Sequence, residues 1–354
     1  MKLYSCSKCQ NLLYFENTVC LNCGSAVGFD AGKLSMVTLV PSAENELADI
    51  SDAKMLWRYC ANAAHAACNW LIPASASDGF CIACDLNRTI PALDKKENLD
   101  NWRRIEVAKH RLVYSLLRLN LPVVSKVGEE EAGIAFDFMA DTDPEKRVLT
   151  GHDNGTITLN IEEADEQQRV KHKLDLGEKY RTLLGHFRHE IGHYYWEVFY
   201  KNNPAVENFR KIFGDESADY GEALKQYYEN GAPANWNDFF ISPYATAHAW
   251  EDWAETWAHY LHMMDTLETA WSFGIAVNPR KASEEHEMQA SINSNPYNIK
   301  NFDEIVKMWL PLTFSVNSLN RSMGHQDFYP FIISGPVIEK LRFIHEQLRQ
   351  YRQG

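Results

Sequence analysis

Two cysteine pairs, Cys6-Ser-Lys-Cys9 and Cys20-Leu-Asn-Cys23, stand close together, and Gly24 follows the second at once. No other feature restricts the fold so tightly. A CxxC pair lets two thiolates reach one ion from a tight turn, and two such turns close a tetrahedral shell with no position left for water. A structural zinc site on a small ribbon is the expected result; the alternative is four unrelated thiols. A looser set lies in RYCANAAHAACNW and FCIAC, comprising Cys60, Cys68, Cys81 and Cys84. One CxxC with two separated cysteines still completes a four-thiolate site, and His65 offers a substitute donor. The competing reading makes Cys60 and Cys68 small buried residues on one face of an alanine-rich helix. With both sites formed, all eight cysteines are used and none is a nucleophile.

At 354 residues with 45% hydrophobic content, the chain can bury a large core and is expected to hold more than one folding unit. Its formal charge of -13 argues against a nucleic-acid partner. The ribbon region agrees: Lys2, Lys8 and Lys33 are set against Glu16 and Asp30, too even a balance to steer a polyanion. A protein-docking or stabilising role for the ribbon fits better. MKLYSCSKCQ lacks the pattern of a signal peptide, and no apolar run reaches the roughly 18 residues that span a bilayer. A cytoplasmic protein with no membrane partner is expected, and its cysteines then read as ligands, not disulfides.

Three domains are expected: 1–35 as a zinc ribbon, 36–90 as a second cysteine-rich module, and 91–354 as the remainder. Glu97 to Leu119 has helical spacing (Trp102, Ile105, Val107, Ala108, Leu112, Leu116 and Leu119), with Arg and Lys on the other face. AGIAFDFMAD (132–141) reads as a buried strand. NGTITLNIEE (154–163) reads as a half-exposed strand after an Asn-Gly turn. Beyond Leu176 helices are predicted over about 176–201, 204–213, 216–230, 245–266, 300–320 and 336–350.

The first of these carries His189-Glu190-Ile191-Gly192-His193. On a helix His189 and His193 lie one turn apart on one face, while Glu190 is displaced by about 100° and can reach a water on an ion they share. Gly192 inside the helix costs about 1 kcal/mol against Ala, which points to close packing there. His186, one turn earlier, is either an alternative ligand or a supporting residue. A catalytic zinc needs a third protein ligand. The best source is residues 242–270, where Glu251, Glu255, His259 and His262 form a polar stripe through a Trp-rich segment. A stripe satisfied by hydrogen bonds or solvent is the plain alternative.

HEIGH followed by EDWAETW resembles the gluzincin branch of zinc metallopeptidases, which includes the catalytic domain of anthrax lethal factor. The whole layout, with GHDNGTITLN and EDWAETWAHYLHMMDTLETA, is similar to a bacterial family of zinc-binding metallopeptidases with an N-terminal zinc ribbon. The resemblance implies an α+β fold: a mainly helical, zincin-like domain with a small sheet, preceded by four-cysteine ribbons. It implies Zn2+ as cofactor, one catalytic and one or two structural. His189, His193 and Glu251 would be the catalytic ligands, Glu190 the general base, and Tyr244, seven residues before Glu251, the oxyanion stabiliser. His248 would assist or cap a helix. The substrate would be a peptide or protein, added as a strand along an exposed edge at 156–161. The rivals are a non-catalytic scaffold docking a protein through its ribbon, a zinc amidase acting on a small molecule, and a nucleic-acid regulator.

Overall fold

Each cysteine pair sits on a tight turn, because the chain must double back within four residues to bring two thiols together. In the computed structural model, which describes residues 2–42, 46–126, 132–141, 148–165, 182–280 and 288–352, the first such turn joins β1 (Tyr4–Ser5) to β2 (Leu12–Leu13). Gln10 N closes it on Cys6 O at 2.8 Å. The chain is α+β and divides into two units, Met1–Gly177 and Glu178–Gly354.

In the first unit β3 (Ala26–Asp30), β4 (Ser35–Pro41), β5 (Leu47–Asp49), β6 (Asp52–Tyr59) and β7 (Leu71–Pro73) form an antiparallel sheet in that order. Val37, Leu39, Trp57 and Leu71 make its apolar cluster. Residue 35 begins β4, so both cysteine regions share this sheet. A second sheet has the order β10-β11-β9-β8, from β8 (Asn87–Thr89), β9 (Ala135–Met139), β10 (Gly151–Asp153) and β11 (Thr156–Asn160). Between β8 and β9 the chain forms α1 (Lys96–Arg118), whose Trp102, Ile105 and Leu112 are fully buried, as the spacing predicts.

Asn154 and Gly155 take φ of 45° and 79°, the left-handed pair that a two-residue hairpin turn requires. That hairpin overturns one expectation. Because β10 folds back on β11, and β9 pairs on the other side, β11 has no open edge for a substrate strand. The outer strands of this sheet are β10 and β8.

The second unit is helical. Thr182 accepts from Gly185 N at 2.9 Å and caps α2 (Leu183–Tyr200); the start expected at 176 lies outside the described residues. There follow α3 (Val206–Phe213), α4 (Tyr220–Asn230), α5 (Ala249–Ser272), a two-stranded ribbon of β12 (Ala276–Val277) and β13 (Ala290–Ser291), α6 (Phe302–Ser322) and α7 (Gly335–Tyr351). α2 packs on α5, with Tyr195 stacked on Trp257 at 5.3 Å between centroids. Trp253, Trp257 and Trp309 are all buried, and truncating one such ring to Ala typically costs about 3–5 kcal/mol. Among the described residues no helix is long and apolar enough to cross a membrane.

Candidate metal centres

Gly192 lets α2 and α5 approach closely enough to share a site. A Cβ there would lie 3.1 Å from Ala254 Cα and 3.2 Å from Trp257 Cδ1, while Trp253 Nε1 donates to Gly192 O at 2.9 Å. At this crossing the one-turn spacing of α2 turns His189 and His193 toward α5. Their Nε2 atoms are 3.2 Å apart. Glu251 completes the group, with Oε2 3.0 Å from His189 Nε2 and Oε1 3.6 Å from His193 Nε2. Three donors on a tetrahedron at about 2.0–2.1 Å from zinc would stand about 3.3–3.4 Å apart. The spacing fits.

The chemistry of the donors fits too. His189 Nδ1 faces Glu255 Oε1 at 2.7 Å, and a carboxylate oxygen only accepts, so Nδ1 carries the hydrogen. In a neutral ring the Nε2 lone pair then points at Glu251 Oε2, which is buried and has no hydrogen bond of its own. Two acceptors in contact require a cation between them. Without a metal the proton plays that part: burial pushes the His189 pKa down, but Glu251 and Glu255 hold it well above the ordinary range. Burial pushes Glu251 up, but His193 and His189 hold it well below.

Glu190 sits beside this group with Oε1 3.1 Å from His186 Nε2. Burial raises its pKa, but the His186 hydrogen bond and the nearby histidine charges outweigh that and bring it to about 2. His186 thus supports Glu190 and is not among the converging donors. Tyr244 stands on a single 3-10 turn ahead of α5, its ring centroid 6.0 Å from that of His189. Burial and the Glu251 charge push its pKa up, so the phenol keeps its proton. Trp250 lies against His193 at 4.3 Å between ring centroids.

His248, His259 and His262 each have partners away from this group. His248 caps α5, its Nδ1 accepting from Trp250 N at 3.1 Å and its Nε2 facing Ala218 O at 3.2 Å. His259 Nδ1 pairs with the Tyr329 hydroxyl at 2.7 Å, and His262 Nδ1 lies 2.6 Å from Arg188, which also binds Asp265. The polar stripe on α5 therefore divides: Glu251 and Glu255 face the centre, whereas His259 and His262 do not. One residue absent from the sequence reading is Tyr220, whose hydroxyl donates to Glu251 Oε1 at 2.6 Å. Its stretch, DESADYGEALKQYY, carries no motif that would flag it.

The eight cysteines form two groups. In the first, Cys6 and Cys23 sulfurs are 3.7 Å apart, and Cys9 and Cys20 sulfurs 3.6 Å. In the second, Cys68 and Cys81 are 3.8 Å apart. Sulfurs at about 2.3 Å from one tetrahedral zinc stand about 3.8 Å from each other, so both groups suit a closed four-thiolate shell. Hydrogen bonds from the Ser25 hydroxyl and backbone already pull the Cys23 pKa down to about 6, toward the thiolate that binds metal. Cys60 and Cys68 do not share a long helix; a 3-10 turn, Ala61–His65, separates them. His65 is exposed, its ring edge-on to Trp102. The histidine at this centre is His110 of α1, with Nε2 3.2 Å from Cys68 Sγ and Nδ1 2.6 Å from Glu106 O. Lys109, fully buried, binds Glu106 at 2.9 Å beside it.

Residues 98–347 match the family model described as "Putative zinc-binding metallo-peptidase", and residues 3–95 match a zinc-ribbon domain. An uncharacterised protein of Mycobacterium tuberculosis H37Rv is 40% identical over 346 residues, 98% of this chain and 94% of its own length. An uncharacterised protein of Mycobacterium bovis matches with the same identity and coverage. No solved structure matches the chain at a significant level. A family match that takes in both HEIGH and the Glu251 helix, preceded by a matched ribbon, means that the chain belongs to the family so described.

Proposed function

We propose that the chain is a zinc-dependent peptidase whose ion is held by His189, His193 and Glu251. One observation carries the reading: two imidazole nitrogens and a carboxylate oxygen are buried together, with Glu190 beside them on the histidine helix. Zinc in such a shell supplies a Lewis acid that polarises a carbonyl and lowers the pKa of water.

The chain's own side chains supply the rest. Glu190, held ionised, accepts a proton from the attacking water and passes it to the departing amine. Tyr244, kept protonated, donates its phenolic hydrogen to the oxyanion that develops on the peptide carbonyl. Glu255 fixes the His189 tautomer through Nδ1, and His186 orients the Glu190 carboxylate. Cys6, Cys9, Cys20 and Cys23 hold one structural zinc, and Cys60, Cys68, Cys81 and Cys84 a second. The ribbon is a docking surface for a protein partner, consistent with its near-neutral charge.

The test is zinc per chain by elemental analysis on the wild type and the His189→Ala/His193→Ala double variant, both checked for folding. The expected counts are about three and about two, one ion for each donor set. An unchanged count would remove the catalytic centre.

A further inference from the structure

The two oxygens of Glu251 have different partners. Oε1 accepts the Tyr220 hydroxyl hydrogen at 2.6 Å; Oε2 is buried without a hydrogen bond, 3.0 Å from His189 Nε2. A carboxylate that commits one oxygen to a phenol presents the other. We propose that Tyr220 is a positioning residue of the histidine centre, holding Glu251 so that Oε2 is the oxygen offered to the ion. The inference rests on His189, His193 and Glu251 being a zinc site.

The setting of Tyr220 makes this hydrogen bond hard to read as incidental packing. Tyr220 is the first residue of α4, which Asp219 caps by accepting from Glu222 N at 2.9 Å. α4 contributes no buried residue, and it lies between Gly214 and Gly231, whose φ of 96° and 72° favour glycine. Core burial therefore does not explain where this helix sits.

Its first turn is instead tied to the first turn of α5. The Tyr220 ring stands edge-on to His248 at 5.3 Å and to Trp250 at 5.8 Å, and His248 Nε2 donates to Ala218 O at 3.2 Å. Glu251 lies in that same turn of α5. Phenylalanine at 220 would keep the ring contacts and leave Oε1 buried without its donor. The carboxylate could then turn, and neither oxygen would be preferred.

Hydrogen-bond partners behind a metal ligand are typically worth about 10–100-fold in metal affinity. The test compares wild type, Tyr220→Phe and Tyr228→Phe, the last on the same helix but 63% exposed. Histidine-site zinc is titrated against a competing chelator, and the visible spectrum is recorded after cobalt(II) replaces that ion. Tyr220→Phe should release this zinc about 10–100-fold more readily and shift the cobalt bands, with ribbon zinc retained and Tyr228→Phe matching wild type. Unchanged affinity and spectrum in Tyr220→Phe would overturn the inference. A wild type whose zinc count does not fall on His189→Ala would overturn the zinc site as well, and is told apart because no histidine-site ion is then present to compare.

Discussion

His189 Nδ1 donates to Glu255 Oε1 at 2.7 Å, joining α2 to α5 one turn beyond the point where Glu251 meets the same imidazole. The ring is thereby held between two carboxylates of one helix, with its tautomer set. Glu255→Ala should weaken zinc binding at this centre about 10–100-fold while leaving the helices folded. Chelator competition on the purified variant checks it; wild-type affinity would make Glu255 a spectator.

Glu190 is the residue that a merely structural metal would not need. Glu190→Gln should keep zinc but lower peptide turnover by about 10²–10⁴. The readout is kcat on an unbiased peptide library, beside the zinc content of the same sample. Full activity with Gln would remove the peptidase reading.

Gly192 tests the helix crossing without touching a donor. An added methyl gains about 1 kcal/mol of helix propensity, but it meets Ala254 Cα at 3.1 Å, and a backbone atom cannot move aside cheaply. Overpacking of this kind costs about 1–3 kcal/mol. Gly192→Ala should be destabilised on balance in a urea titration, and a higher midpoint would contradict the close contact.

Stability should fall as the solution is made more acid. His345 is buried with both ring nitrogens engaged by a neutral ring: Nε2 donates to Lys300 O at 3.2 Å and Nδ1 accepts from the Tyr260 hydroxyl at 3.0 Å. Burial pushes its pKa down to about 4, and does the same to His259. An unfolded histidine takes its proton near pH 6.5, so between about 6.5 and 4 the unfolded chain binds protons that the folded chain refuses. His345 alone should cost roughly 3 kcal/mol across that window, with nothing lost above about pH 7. Melting at pH 7 and pH 5 measures the slope, and His345→Gln should reduce it; superimposable melts would refute the assignment.

What the sequence made legible was local. HEIGH sets its two imidazoles by a four-residue spacing, the CxxC turns set their thiols by three, and Asn154-Gly155 set its own hairpin. Features that join distant segments were not legible. Tyr220 reaches Glu251 from 31 residues away, and His110 reaches Cys68 from 42. Neither has neighbours in sequence that mark it, and the nearer His65 was the natural but mistaken candidate. Whether β11 was an edge depended on which strand paired beside it, which alternation along one strand does not reveal. The α5 stripe showed that polar side chains needed partners, but not that His259 would find Tyr329, 70 residues on.

The two kinds of centre stand in different relations to the chain around them. His189, His193 and Glu251 project from two helices that are locked by Gly192, Trp253 and Trp257, so their frame exists before any ion arrives. The first four cysteines hang on strands of two residues and tight turns; Tyr4 and Phe15 beside them pack on Phe29, so an ion would fix the turns and not supply the core. Stripping all metal should therefore loosen the cysteine turns first, while the helical half stays ready to be reloaded at once.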